Sequence, residues 1–456
     1  LKKAIWSLGL AGVCFMLALP VINLLTYKAP AEPLLLADNP NPYAGQAAQI
    51  FAQKCSDCHT SKTRYPFYFN LPLAKDVIRH DVQSGLNHYD LTPILFAKTE
   101  NIPENYLVKL ERVIANNSMP LERYTMLHWN ARLTSKDKTL LLNWIASERR
   151  KAAAEVPLWN EPVQPLKPYK NLDPKKVALG EKLFFEKRLS GDNSVSCASC
   201  HDLQKGGTDR AKVSTGISGQ KGGINAPTVF NAANNFVAFW DGRAANLNEQ
   251  AAGPVTNPIE MGATFEDVIK KLNADPAYVS AFRNAYGNQG ISKETITDAI
   301  ATFEKTLITP NSRFDQYLLG NANALNEAEK RGYALFKSVG CASCHMGPNL
   351  GGLTFETLGK RSDYFKARGL AVTDADKGRY NVTRRELDLH RFKVPTLRNI
   401  AQTAPYFHDA STSDLKEAVR VMAKYQLGEN LTGQQVDDIT QFLHTLTGEY
   451  KGKPVQ

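Results

Sequence analysis

Cys55-Ser56-Asp57-Cys58-His59, Cys197-Ala198-Ser199-Cys200-His201 and Cys341-Ala342-Ser343-Cys344-His345 are three copies of one five-residue pattern, Cys-x-x-Cys-His. Six of the seven cysteines fall in them; the seventh, Cys14, lies in an apolar N-terminal run. Two thiols three positions apart can add to the two vinyl groups of one porphyrin, and the adjoining His then reaches the iron. A redox dithiol needs no following His, and a zinc site needs a second Cys pair or a His pair nearby. The three repeats therefore indicate c-type haem attachment, one haem c per motif, with His59, His201 and His345 as proximal ligands.

The repetition extends outward from the cysteines. A small residue followed by an aliphatic residue and Phe precedes each motif: Ala47, Ile50, Phe51; Gly180, Leu183, Phe184; Gly332, Leu335, Phe336. A run with helical period follows each: Leu141, Trp144, Ile145; Ile296, Ile300, Phe303, Leu307; Val436, Ile439, Phe442, Leu446. Thr432 and Gln435 form a capping box for the last run. Strand-like alternation is scarce, so the chain reads as mainly α, with three cytochrome c-like haem domains in tandem.

Length and composition agree. At roughly 150 residues per domain, 456 residues allow about three domains. A hydrophobic fraction of 43% excludes wholesale disorder and a multi-span membrane bundle. The formal charge of +10 is mild and contains no dense basic block, so nucleic acid is not an expected partner. Lys2 and Lys3 precede an uncharged run from Ala4 to Leu25, long enough at about 1.5 Å per residue for one bilayer crossing. Residues 1–28 are thus expected to be a single transmembrane anchor in the bacterial inner membrane, with the haem domains exported to the periplasm by the positive-inside bias. A cleaved signal peptide ending near Ala29-Pro30-Ala31 is the alternative. Pro-rich stretches at 29–43 (tether) and 153–173 (linker), with a softer boundary after Thr309, divide the remainder into 44–152, 174–309 and 310–456.

The sixth ligand of each iron separates electron transfer from chemistry, because Met fills the site and raises the potential while a vacancy admits an oxidant. For the first haem, Met119 before Pro120 is the leading candidate, with Met126, His80, His88 and His128 competing. For the third, Met346 adjoins the proximal His on the wrong face, whereas Met422 lies on a downstream amphipathic helix. The second segment offers no other His before His345, and Met261 is its only Met.

From about Leu172 to Thr447 the chain resembles the bacterial dihaem cytochrome c peroxidases. The matching stretches are Cys197–His201, Asn225–Asn231, Phe239–Arg243, Gln250–Met261, Gly340–His345 and Val394–His408, with Met422 beyond. With the extra haem segment and the expected anchor, the whole resembles the three-haem quinol peroxidases of enterobacteria. The resemblance implies that the His201 haem is peroxidatic and that the His345/Met422 haem transfers electrons. It implies Glu260 as the acid–base carboxylate, Gln250 as its pocket neighbour and Trp240 as the aromatic between the two haems. Asn225, Thr403 and Pro405 match positions that bind an interdomain calcium, the latter two through backbone carbonyls, and His408 matches a His near the electron-transferring haem. Many members carry a distal His sixteen residues after the peroxidatic proximal His; here that position is Ile217, which cannot ligate iron.

The expected function is reduction of hydrogen peroxide to water, with electrons from ubiquinol or menaquinol, or from a small cytochrome c, passing through the three haems. Protein side-chain oxidation, as in the related dihaem enzyme that matures a tryptophan-derived quinone, is the other chemistry this scaffold suggests. That enzyme has Tyr where Met422 stands.

Overall fold

The computed structural model describes residues 18–26 and 34–456. Most of the expected anchor and the start of the tether lie outside the described residues. Residues 18–26 are helical, and among the described residues no helix is long and apolar enough to cross a membrane. The chain divides into two compact units, Leu1–Glu155 and Val156–Gln456, so the His201 and His345 motifs share one unit.

The first unit is built on α1 (Ala44–Lys54), α2 (Ala74–Tyr89), α3 (Glu104–Ala115) and α4 (Ser135–Ala153). Its core gathers Phe51, Leu95, Leu107, Leu141, Trp144 and Ile145, with Phe51 meeting Trp144 edge to face at 5.4 Å. Thr134 and Asp137 cap α4 reciprocally. Arg149, buried on the same helix, is forked by Glu104 and Glu111 of α3 at 2.7 Å each.

The second unit contains α5 (Pro174–Phe184), α6 (Leu247–Thr256), α7 (Lys293–Glu304), α8 (Glu327–Val339), α9 (Leu415–Val421) and α10 (Gly433–His444). Its longest ladder is a three-residue antiparallel pair, β1 (Phe355–Thr357) with β2 (Arg391–Lys393), in which Phe355 faces Lys393. The helix-period runs are buried as their spacing requires, with Ile296, Ile300, Phe303, Val436, Ile439 and Phe442 all at most 2% exposed. The Thr432–Gln435 capping box is present.

Two close helix crossings repeat within this unit. A Cβ added at Gly180 of α5 would stand 1.9 Å from the Ala299 carbonyl oxygen of α7; one at Gly332 of α8 would stand 2.0 Å from that of Asp438 on α10. Only glycine allows backbones this near. A second internal repeat, Pro227-Thr228-Val229-Phe230-Asn231 and Pro395-Thr396-Leu397-Arg398-Asn399, ends each time in a left-handed Asn. Both Asn side chains donate to the Thr309 hydroxyl, at 2.8 and 2.9 Å, tying the halves at one residue.

Residues 156–166 are docked rather than loose. Val163 and Leu166 are buried, Glu161 pairs with Lys337 and accepts from the Tyr333 hydroxyl, and the Gln164 carbonyl accepts from Arg398. Arg398 is fully buried against Asp315 at 2.7 Å.

Candidate haem sites

Each attachment motif presents its His in the same chemical form. The Nδ1 of His59 lies 2.9 Å from the Tyr89 carbonyl oxygen, that of His345 3.0 Å from Leu350, and that of His201 3.4 Å from Gly207. A carbonyl only accepts, so the ring proton sits on Nδ1 and Nε2 keeps its lone pair. This is the arrangement of an iron-ligating imidazole with its outer partner in place. Burial lowers the pKa of all three, that of His345 to about 4, which keeps the rings neutral. In the second unit the repeated Pro also takes part: the Pro227 carbonyl faces the His201 ring and the Pro395 carbonyl the His345 ring. All six motif cysteines are half-buried. Burial pushes Cys55, Cys58 and Cys197 up to about 12 and raises Cys200, so they stand as thiols rather than thiolates. These donor sets fit covalently held haem c.

Of the residues expected for chemistry, the structure places Glu260 within electrostatic reach of the His201 motif. Glu260 sits on the turn after α6, its Oε1 accepting from Asn257 Nδ2 at 2.7 Å. Burial raises its pKa against the opposing pull of Arg243 and Asn257, and its charge acts on Cys200. The Ile217 N–H donates to the Glu260 carbonyl at 2.9 Å, and the Ile217 Cδ1 would lie 2.3 Å from a Cβ at Gly262. The loop bearing Ile217 is thus laid directly on the Glu260 turn. Gln250 lies half-buried on α6, and Arg243, absent from the expected set, stacks on Phe239 at 3.5 Å. Met261 is 4% exposed in the core with Leu179 and Leu183, so it serves packing. Glu304, at the end of α7, was not singled out by any motif. It is 5% exposed, its charge acts on Cys197, and burial lifts it to about 8.

Met422, the expected sixth ligand of the third haem, opens a π-helical turn, Met422–Leu427, that continues α9. Such turns shift side-chain register and recur at functional sites. The flanking Val421 and Tyr425 pack on Tyr364, Phe365 and Phe392, and Trp240 joins the same cluster. Met346 is fully buried beside the proximal His.

Trp240 is held at three points. Its Nε1 donates to the Asn225 carbonyl at 2.9 Å, its own carbonyl accepts from the Lys393 N–H at 2.8 Å, and its ring meets Phe392 and His408 edge to face. Asn225 Nδ2 donates to the Ala211 carbonyl, and its N–H to that of His408, which follows Thr403 and Pro405 on one loop. Its Oδ1 has no donor among the described residues, so it is available to a cation. His408 is 2% exposed, stacks on Phe392 at 4.4 Å, and its Nε2 lies 2.7 Å from Asp376. Asp376, His408 and Asp409 have the spacing of a metal site, but Arg368 lies 2.8 and 2.7 Å from the two carboxylates and supplies the positive charge itself. Burial works to raise Asp376, yet Arg368, Thr373 and His408 together hold it well below the carboxylate range.

In the first unit, His128 is buried with Nε2 2.7 Å from the Tyr68 hydroxyl and its ring stacked on Tyr124, which in turn donates to Asp57 within the haem motif. The His128 nitrogen is therefore occupied. Met119 is 36% and Met126 56% exposed, and the His80 side chain is 78% exposed. His88 lies near the C-terminal end of α2, its carbonyl accepting from Lys109.

Residues 174–323 match the family described as di-haem cytochrome c peroxidase, and residues 18–147 match a haem-binding domain. The chain is 45% identical over 403 residues to the cytochrome c peroxidase Ccp of Escherichia coli strain K12, covering 87% of this chain and 86% of the relative. The chain belongs to the dihaem cytochrome c peroxidase family. It is a c-type haem peroxidase. The cytochrome c551 peroxidase of Nitrosomonas europaea is 45% identical over 298 residues, covering 65% of this chain and 87% of that protein. Among solved structures, a MauG-like protein associated with microbial copper homeostasis superposes with a TM-score of 0.56 at 31% identity, covering 63% of this chain and 93% of that one.

Proposed function

We propose that this peroxidase reduces hydrogen peroxide with two electrons and two protons to two waters, drawing the electrons from the membrane quinol pool through three c-type haems. The observation that carries the reading is the Glu260 turn: a half-buried carboxyl with raised pKa, packed against a loop whose nearest side chain, Ile217, cannot ligate iron. Cys197, Cys200 and His201 would hold a haem, which would supply redox-active iron and the electrons for peroxide reduction. Glu260 Oε accepts the proton from one peroxide oxygen and returns it to the other, which departs as water. Asn257 fixes the orientation of that carboxyl, and the family resemblance supports Gln250 of α6 as its polar neighbour in the pocket. The raised pKa brings the carboxyl nearer the operating pH, where a group can both take and give a proton.

By the family resemblance, His345 and Met422 would hold the electron-transferring haem, Trp240 would bridge it to the His201 haem, and His59 with Met119 would hold the first acceptor. The cation-accepting Oδ1 of Asn225, with the carbonyls of Thr403 and Pro405, suits a calcium ion through hard oxygen donors. The uncharged run Ala4–Leu25 supports a single inner-membrane anchor with the haem domains periplasmic, and tethering at a bilayer supports quinol as donor. Two measurements test this. Steady-state peroxide reduction should proceed with ubiquinol or menaquinol; turnover with a reduced small cytochrome c alone would reassign the donor. The fully oxidised protein should show a high-spin component from the His201 haem; wholly low-spin spectra would overturn the open site at Ile217.

A further inference from the structure

Lys393 is 5% exposed, and among the described residues its Nζ has neither an ion pair nor a hydrogen bond. Lys393 Nζ is not one of the fully enclosed unpartnered atoms, so a largely buried side chain holds an ammonium that can still be reached, and such a charge calls for an anion that protein atoms alone do not provide. Its neighbours are apolar or already engaged. Across the ladder stands Phe355, whose ring is covered by Arg379 at 4.7 Å. Arg391, two residues before it, is paired with Asp388. Phe392, the residue just before it on β2, faces His408 and Trp240.

Its place in the fold says what the missing anion is. Two residues on, Pro395 turns its carbonyl to the His345 ring, and the Lys393 N–H is bonded to the Trp240 carbonyl. The side chain therefore springs from the segment that links the His345 proximal ligand to Trp240. The internal repeat sharpens this. Lys393 stands two residues before Pro395 just as Asn225 stands two residues before Pro227. Where the His201 half has a neutral side chain suited to an external cation, the His345 half carries a cation of its own.

We propose that the Lys393 ammonium is the counter-ion of a propionate of the haem attached at Cys341 and Cys344, and that it raises the potential of that haem selectively. A haem c carries two carboxylates, and a fixed positive charge beside one favours the reduced, more negative state of the group. The inference rests on the reading that the His345 motif holds haem, and covalent haem content tests that reading separately. Lys393→Gln and Lys393→Arg proteins are prepared in the full haem-loaded chain, haem content is counted, and each midpoint potential is followed spectroelectrochemically. The expected result is three haems in every protein and a drop in the Lys393→Gln potential of one haem only, by about tenfold in its reduction equilibrium, which is ~59 mV. Lys393→Arg should restore most of the shift, and resonance Raman propionate modes should change in the glutamine variant alone. Unchanged potentials and propionate modes with three haems present would overturn the proposal. Should the glutamine variant fail to assemble, a crystal structure of the haem-loaded natural protein decides. Nζ within 4 Å of a propionate oxygen upholds the proposal, and Nζ beyond that distance from both propionates ends it.

Discussion

In the half of the second unit that carries His201, Gly180 of α5 lies against the Ala299 carbonyl and Phe303 of α7; in the half that carries His345, Gly332 of α8 lies against the Asp438 carbonyl and Phe442 of α10. The scaffolds match at these crossings and at the paired Asn231 and Asn399 on Thr309. What is mounted on them does not match. The His201 half has a carboxyl turn at Glu260, a non-ligating Ile217, a buried acid at Glu304 with no side-chain partner among the described residues, and a longer Nδ1 bond at 3.4 Å. The His345 half has a π-turn Met422, a lone buried ammonium at Lys393 and a tighter Nδ1 bond at 3.0 Å. One half is equipped to move protons, the other to hold a ligand and a charge. The difference shows that duplicated helix pairs set where a haem sits, while loops between them set what it does.

That contrast can be broken most sharply at Glu260. A Glu260→Gln variant should lose about 10²–10⁴-fold in peroxide turnover while electron transfer among the haems persists, as measured by steady-state and stopped-flow absorbance. If turnover survives, the proton-moving half has been wrongly assigned. The shared scaffold is tested next. Gly180→Ala and Gly332→Ala each force a Cβ to within 2.0 Å of a carbonyl oxygen, and each should cost about 1–3 kcal/mol by denaturant unfolding. Similar losses would support the duplication; a large loss at only one site would show that the halves bear load unequally.

A pH-dependent effect distinguishes the buried acid Glu304. Burial lifts Glu304 from 4.5 to about 8, so the folded protein keeps a proton that the unfolded chain releases above 4.5. Its contribution to stability is full below 4.5 and is lost as pH rises toward 8, on the order of 1.4 kcal/mol per pH unit across that window. Glu304→Gln should flatten this part of the Tm-against-pH curve in the haem-loaded protein. The mildest test is Met422→His, which should lower the potential of one haem and leave the spectrum of the His201 haem unaltered.

Much of this was legible from residues alone. The Cys-x-x-Cys-His spacing is local chemistry, so it needed no fold to be read, and buried runs such as Ile296–Leu307 followed from helical period. The Pro-Thr-x-x-Asn repeat was also present in the sequence, but its weight appears only when both Asn side chains meet at Thr309. Glu304 and Lys393 carried no legible signal, and Arg243 stood in a matching stretch with no role attached to it. A Glu or Lys in a chain with 22% charged residues reads as solvated surface. The occupation of His128 by Tyr68 likewise depends on a contact sixty residues apart.

Sequence by itself determined the haem chemistry, the mainly helical architecture and the family, because covalent attachment spacing and amphipathic period are short-range properties of the chain. Only the tertiary structure decided which buried charges lack partners, that Arg368 takes the place of a metal among Asp376, His408 and Asp409, and that Ile217 lies on the Glu260 turn. Desolvation and pairing are set by what long-range packing brings within a few ångströms, and no local pattern records them.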